Sequence, residues 1–107
     1  MRSVQTKYRA VPTIVNGIRF ASKKESRRYK ELLLLRATGN ISHLVLQPKF
    51  DITIHGFKIC RYIADFQYVD LVTKKVITED AKGFLTPVYR IKKKLMAAVM
   101  GVEITEV

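Results

Sequence analysis

Apolar positions change their period along the chain, and each change marks an element. Between Val11 and Phe20 they flank Asn16-Gly17, a favoured two-residue turn, so a short hairpin is expected there. Ser22 to Thr38 takes helical spacing, with Tyr29, Leu32, Leu33 and Leu35 on the apolar side. Ser22 is a good N-cap, Glu25 completes a capping box, and Gly39 is placed to end the helix in a left-handed conformation. Strand patterns come next at His43–Gln47, at Lys49–His55 with Phe50, Ile52 and Ile54 on one face, and along Ile59–Asp70, a long run of β-formers. Leu71–Lys75 turns the chain, and Val76–Lys82 reads as a further strand stopped by Gly83. Thr86 can cap a second helix that has Pro87 at its first position and runs to about Met100, with Gly101 beyond its end. Val88, Ile91, Leu95, Ala98 and Val99 mark its apolar stripe, and Val102–Val107 forms the last strand.

This order, a helix, a meander of strands, a helix and a strand, predicts an α/β domain with a mixed central sheet flanked by helices. The closing strand–helix–strand unit implies one parallel pairing through a right-handed crossover. A length of 107 residues is one domain, whose first ten residues, with Arg2, Lys7 and Arg9, read as a flexible basic arm.

Charge narrows the partners. Twenty Lys and Arg against nine Asp and Glu give a net charge of +11, which calls for a polyanion, either nucleic acid or an acidic membrane surface. The run Leu32–Leu35 is far too short to span a membrane, and no apolar segment succeeds the basic N-terminus as in a signal peptide. One cysteine, Cys60, excludes an intrachain disulfide and fits the cytoplasm. His43, His55 and Cys60 lack zinc spacing and read as structural.

Candidate chemistry gathers around three residues. Asp65 is an acid within an apolar strand, where a carboxylate needs a cationic side chain or metal ion unless it sits on a solvated face. Asp80 and Lys82 point to one side of their strand, and Glu79 and Ala81 to the other. Such an acid can hold a divalent cation, and the lysine can orient water or offset developing negative charge. By itself the triplet is far better explained by a surface ion pair, since it occurs often by chance. If the strands carrying Asp65 and Asp80 are antiparallel neighbours, the carboxylates meet near one end and make a metal site.

Two basic clusters accompany them: Arg19, Lys23, Lys24, Arg27 and Arg28, and Arg90, Lys92, Lys93 and Lys94. A charge run is usually a solvated face, but two runs flanking a metal site read as a surface that tracks phosphates. Gln47 either lines the cleft or is a buried, paired amide. Glu79 makes a salt bridge or meets solvent, and serves as a reserve ligand if its strand is bulged. Tyr89 and Lys93 share a helix face and can approach the phosphates, or are a packed tyrosine beside a solvated lysine.

Asp65 followed by Asp80-Ala81-Lys82 resembles the motif of the PD-(D/E)XK nuclease superfamily, an Asp on one strand and (D/E)-x-K on the next. Ala64 stands where that motif carries proline, a position at which the superfamily varies. Over roughly residues 7–107 the chain is similar to a family of small phage proteins within it. The likeness is carried by Phe20–Glu25, Leu46–Phe50, Tyr62–Phe66, Glu79–Gly83 with Thr86, and the closing Gly101–Val107. The resemblance implies a restriction-endonuclease-like core of order αβββαβ and a Mg²⁺-dependent endonuclease acting on DNA, with Mn²⁺ able to substitute. It implies that Asp65 and Asp80 hold the metal with the Ala81 carbonyl, and that Lys82 positions or activates the attacking water. In the Holliday-junction-resolvase branch a first-helix glutamate joins the site, a role Glu25 matches beside its role as a cap. The DNA-binding side chains are then Arg19, Lys23, Lys24, Arg27, Arg28, Lys92 and Lys93. Symmetric cutting of a four-way junction needs two active sites, hence a homodimer, in the host bacterial cytoplasm if the chain is phage-encoded. The alternatives are a non-catalytic basic nucleic-acid-binding protein and a nonspecific or nicking nuclease.

Overall fold

Asn16 and Gly17, at φ 52° and 76°, supply the two positive dihedrals of a type I′ turn. They join β1 (Thr13–Val15) to β2 (Ile18–Phe20) as the expected antiparallel hairpin. The computed structural model describes residues 12–81 and 85–107. The N-terminal arm and Lys82, with Gly83 and Phe84, lie outside the described residues.

Helix α1 (Lys23–Ala37) begins where Ser22 Oγ accepts from the Glu25 N–H. It ends in a Schellman motif: the Gly39 N–H donates to the Arg36 carbonyl and the Asn40 N–H to that of Leu35, with Gly39 at φ 80°. Five strands come after it: β3 (Ile41–Leu46), β4 (Lys49–Ile54), β5 (Phe57–Ile63), β6 (Phe66–Asp70) and β7 (Lys75–Asp80). Helix α2 (Pro87–Leu95) is capped by the Thr86 side chain and runs on into a π-helical turn, Met96–Met100, before β8 (Ile104–Glu106).

The main sheet has the order β3-β6-β7-β8, antiparallel except for the β7–β8 pair, which is parallel as the strand–helix–strand reading requires. Strands β4 and β5 form a separate hairpin. The fold is thus mixed α/β with a mixed sheet and two helices among the described residues.

Three expectations are corrected. The single long strand Ile59–Asp70 is two strands. The Ala64 N–H donates to the Pro48 carbonyl, closing the β4–β5 hairpin, and the Asp65 N–H donates to the Glu79 carbonyl, opening the main sheet. The chain changes sheets between these residues, so Asp65 sits in a break rather than mid-strand. The last strand is shorter than Val102–Val107, because the Val102 N–H bonds the Met96 carbonyl and closes the helix end. The stripe on α2 is also displaced. Val88 and Ile91 are exposed, as are Ala98 and Val99 beyond them, while Tyr89 and Met96 are buried. Tyr89 and Met96 are two turns apart and share a face, and the π-helical turn rotates the residues beyond Met96 away from it.

The main sheet separates two apolar clusters. Phe20, Tyr29, Leu32, Ile41, Phe66 and Tyr68 pack beneath α1, with the Tyr29 and Phe66 rings stacked at 6.4 Å. Ile52, Tyr62, Ala64, Tyr89, Met96 and Ile104 pack between the β4–β5 hairpin, α2 and β8. No helix among the described residues is long and apolar enough to cross a membrane.

Leu32 is fully buried and Leu34, on the same helix, is 65% exposed. Leu32→Ala is therefore expected to cost about 3 kcal/mol in urea unfolding, and Leu34→Ala less than about 0.5 kcal/mol.

Candidate active site

The register of β6 and β7 builds the site. Phe66 pairs with Glu79, so the residue before Phe66 and the residue after Glu79 fall side by side at one end of the sheet. These residues are Asp65 and Asp80, and their carboxyl groups lie close enough to act on each other. The Ala81 N–H donates to Asp65 Oδ2 at 2.6 Å. Asp80 is fully buried, and Tyr62 of β5 donates its hydroxyl to Asp80 Oδ2. Across the parallel pair Asp80 lies beside Glu106, which accepts from the Tyr89 hydroxyl at 2.8 Å and from Lys93 Nζ at 3.0 Å.

Strand alternation sends Glu79 to the opposite face, beneath α1. Arg28 grips it with two hydrogen bonds, of 2.8 Å from Nε and 2.6 Å from Nη2, and Tyr68 donates its hydroxyl to the same carboxylate. The expected salt bridge is present and buried. The role of reserve ligand is corrected, because the β6–β7 register is unbroken and leaves Glu79 facing away from Asp80.

This geometry sets the electrostatics. Burial pushes the Asp65 carboxyl up to about 8, helped by the adjacent Asp80 carboxyl and by the Glu25 charge, while the Ala81 N–H pulls the other way. The proton so retained belongs to the pair rather than to one acid. Desolvation and the Asp80 carboxylate hold the Tyr62 hydroxyl far above its usual range, so it is a donor at any ordinary pH. Lys93 and Tyr89 hold the Glu106 carboxyl below its usual range.

Two adjacent carboxylates with oxygen donors only, one wholly desolvated, fit a hard divalent cation. Positive charge between them removes the repulsion that otherwise keeps a proton there. Glu25 is buried at the start of α1, near enough for its charge to act on Asp65, and its N–H is capped by Ser22. It is not drawn into a cluster: among the described residues no three His, Cys, Asp or Glu side chains gather as a metal-holding group.

The basic candidates divide. Arg19, Lys23, Lys24 and Arg27 are exposed, the last two on a concavity they share with Arg28, Glu31 and Val107. Arg28 is engaged by Glu79 and Glu31. Lys92 donates to the Arg61 carbonyl at 2.9 Å and Lys93 to Glu106. Gln47 is exposed, which corrects its reading as a buried amide; its backbone, at φ 52°, donates to the Asp65 carbonyl. Tyr89 is the packed tyrosine, Cys60 packs against the same cluster, and among the described residues none of His43, His55 and Cys60 joins a group of three or more metal-holding side chains. Sequence reasoning missed Tyr62 and Glu106. A buried tyrosine needs a partner for its hydroxyl, which is a signal in Tyr62-Ile63-Ala64-Asp65. Glu106 has none without the β7–β8 register.

Arg28→Ala leaves the Glu79 carboxylate, 1% exposed, without its cation, so a loss of about 3–5 kcal/mol is expected in urea unfolding, partly recovered by adding Glu79→Gln. Because Asp65 binds its proton more tightly folded than unfolded, the folded state carries the extra proton between about pH 4 and about 8. Stability of the metal-free protein should then fall as pH rises through that window, and Asp65→Asn should flatten the slope of midpoint against pH.

Comparison with known proteins gives one match. A family model described as a protein of unknown function, DUF1064, matches residues 5–105. No curated protein and no solved structure matches the chain. Since the family model spans nearly the whole sequence, the chain belongs to the DUF1064 family.

Proposed function

We propose that this protein is a divalent-metal-dependent endonuclease that hydrolyses phosphodiester bonds in DNA, with a preference for branched DNA such as a four-way junction. The observation that carries the reading is the buried contact of Asp65 with Asp80 at the end of adjacent strands. Setting both hairpins aside, the remaining elements run α1, β3, β6, β7, α2, β8, in keeping with an αβββαβ core of the PD-(D/E)XK type. The net charge of +11 and the exposed Arg19, Lys23, Lys24 and Arg27 suit a polyanionic substrate.

In this reading Asp65 and Asp80 hold Mg²⁺ or Mn²⁺, and the Ala81 carbonyl adds an oxygen. The cation supplies Lewis-acid polarisation of the scissile phosphate. Lys82, two positions after Asp80 in sequence, orients the attacking water and offsets the negative charge that develops. Glu25 tunes the Asp65 carboxyl from the start of α1. Exposed basic side chains hold the phosphates on either side of the cut, and a homodimer presents two sites to a junction.

The test uses a labelled four-way junction, a nicked duplex and a linear duplex, each with EDTA, Mg²⁺ or Mn²⁺. Cleavage is expected with either metal, none with EDTA, and fastest on the junction. Asp65→Asn and Asp80→Asn should each slow it by about 100-fold or more, while the junction is still retarded in a gel. Retardation without cleavage in every metal identifies a non-catalytic binder, and equal rates on all three substrates a nonspecific nuclease.

A further inference from the structure

Strand β7 ends in two consecutive buried acids, and each receives a tyrosine hydroxyl. Tyr68 donates to Glu79 on the α1 face, and Tyr62 donates to Asp80 on the α2 face. The two arrangements differ in what accompanies the hydroxyl. Glu79 is gripped by Arg28, whose guanidinium balances its charge. Tyr62 is a neutral donor: it can fix the direction of the Asp80 carboxylate without cancelling its charge.

The Tyr62 side chain is itself held. Its ring is 3% exposed and lies 6.4 Å from the rings of both Phe50 and Tyr89. It reaches Asp80 from the β4–β5 hairpin, which shares no strand with the main sheet. A fully buried carboxylate is out of reach of bulk solvent, so a protein donor, the Tyr62 hydroxyl, sets the direction of Asp80 Oδ2.

We propose that Tyr62 is a positioning residue for cation binding: its hydroxyl anchors Oδ2 of Asp80 and holds that carboxylate ready for a divalent ion shared with Asp65. This inference rests on the cation reading of the acid pair. Donors that orient a ligating carboxylate commonly govern affinity as strongly as the orientation of the ligand itself. Tyr68 supplies the matched control, since it offers the same chemical group to the neighbouring acid on the other face.

The full-length chain is titrated with Mn²⁺, and the free ion is read by electron paramagnetic resonance, so no DNA and no cleavage enter the measurement. Tyr62→Phe is expected to weaken the Mn²⁺ dissociation constant about 10-fold or more, whereas Tyr68→Phe changes it by less than about twofold. Circular dichroism and melting curves confirm that both variants fold. Should Tyr62→Phe leave no folded protein, Tyr62→Phe with Asp80→Asn, in which no buried charge is stranded, is compared with Asp80→Asn alone. A role exercised through Asp80 leaves those two with the same residual affinity, and a further loss beyond about threefold overturns it. Wild-type affinity in Tyr62→Phe, or an equal loss in Tyr68→Phe, removes the positioning role and leaves the cation site standing. A wild-type chain that binds no Mn²⁺ removes both.

Discussion

Two carboxylates brought together out of water repel, and burial deepens the conflict because neither can be fully hydrated. Asp65 and Asp80 stay in contact because their backbones have nowhere else to go. The Asp65 N–H donates to the Glu79 carbonyl, its carbonyl accepts from the Gln47 N–H, and its side chain accepts from the Ala81 N–H. The Asp80 carbonyl accepts from the Val107 N–H of the neighbouring chain segment. Separating the acids means breaking several of these bonds at once, each worth about 1 kcal/mol net. The repulsion is thus stored in a frame that cannot relax, which is the condition under which a site retains a proton or takes up a cation.

The same frame joins the two halves of the interior. Glu79 looks into the cluster beneath α1 and is tied through Arg28 to that helix; Asp80 looks into the cluster beneath α2 and is tied through Tyr62 to the β4–β5 hairpin. A single residue step along β7 therefore separates a charge-balanced structural pair from the acid pair. Strand alternation alone accounts for this division, since neighbours on a strand face opposite sides.

Much of this was legible in the sequence, and the failures have specific causes. Caps and turns were readable because their chemistry is local: Ser22, Gly39, Thr86 with Pro87, and Asn16-Gly17 act within a few residues of themselves. The meeting of Asp65 with Asp80 was readable because a tight turn at Leu71–Lys74 fixes which strands are neighbours. The break at Ala64-Asp65 was not, since β-formers continue through it and what ends β5 is the hydrogen-bond demand of two different sheets. On α2 the apolar spacing pointed to Val88 and Ile91, but tertiary contacts took Tyr89 and Met96 instead. The Tyr89 hydroxyl has Glu106 to meet, which periodicity cannot register.

Nor is the +11 charge uniformly available to a polyanion. Arg28 is held by Glu79, Lys93 by Glu106, and Arg61 by Asp51 at 2.8 Å. Lys92 caps the Arg61 carbonyl. The exposed remainder described near α1, at Arg19, Lys23 and Arg27, lies toward the end of the helix where the backbone N–H groups also favour anions. A phosphate backbone approaching there meets side-chain charge and helix dipole of the same sign, and Glu25 at that helix start is felt by Asp65. In the proposed nuclease, attraction for phosphate and the acid pair would draw on different residues. Under that reading, salt or exposed basic substitutions would alter binding without touching the carboxylates, and neutralising the carboxylates would leave the attraction in place.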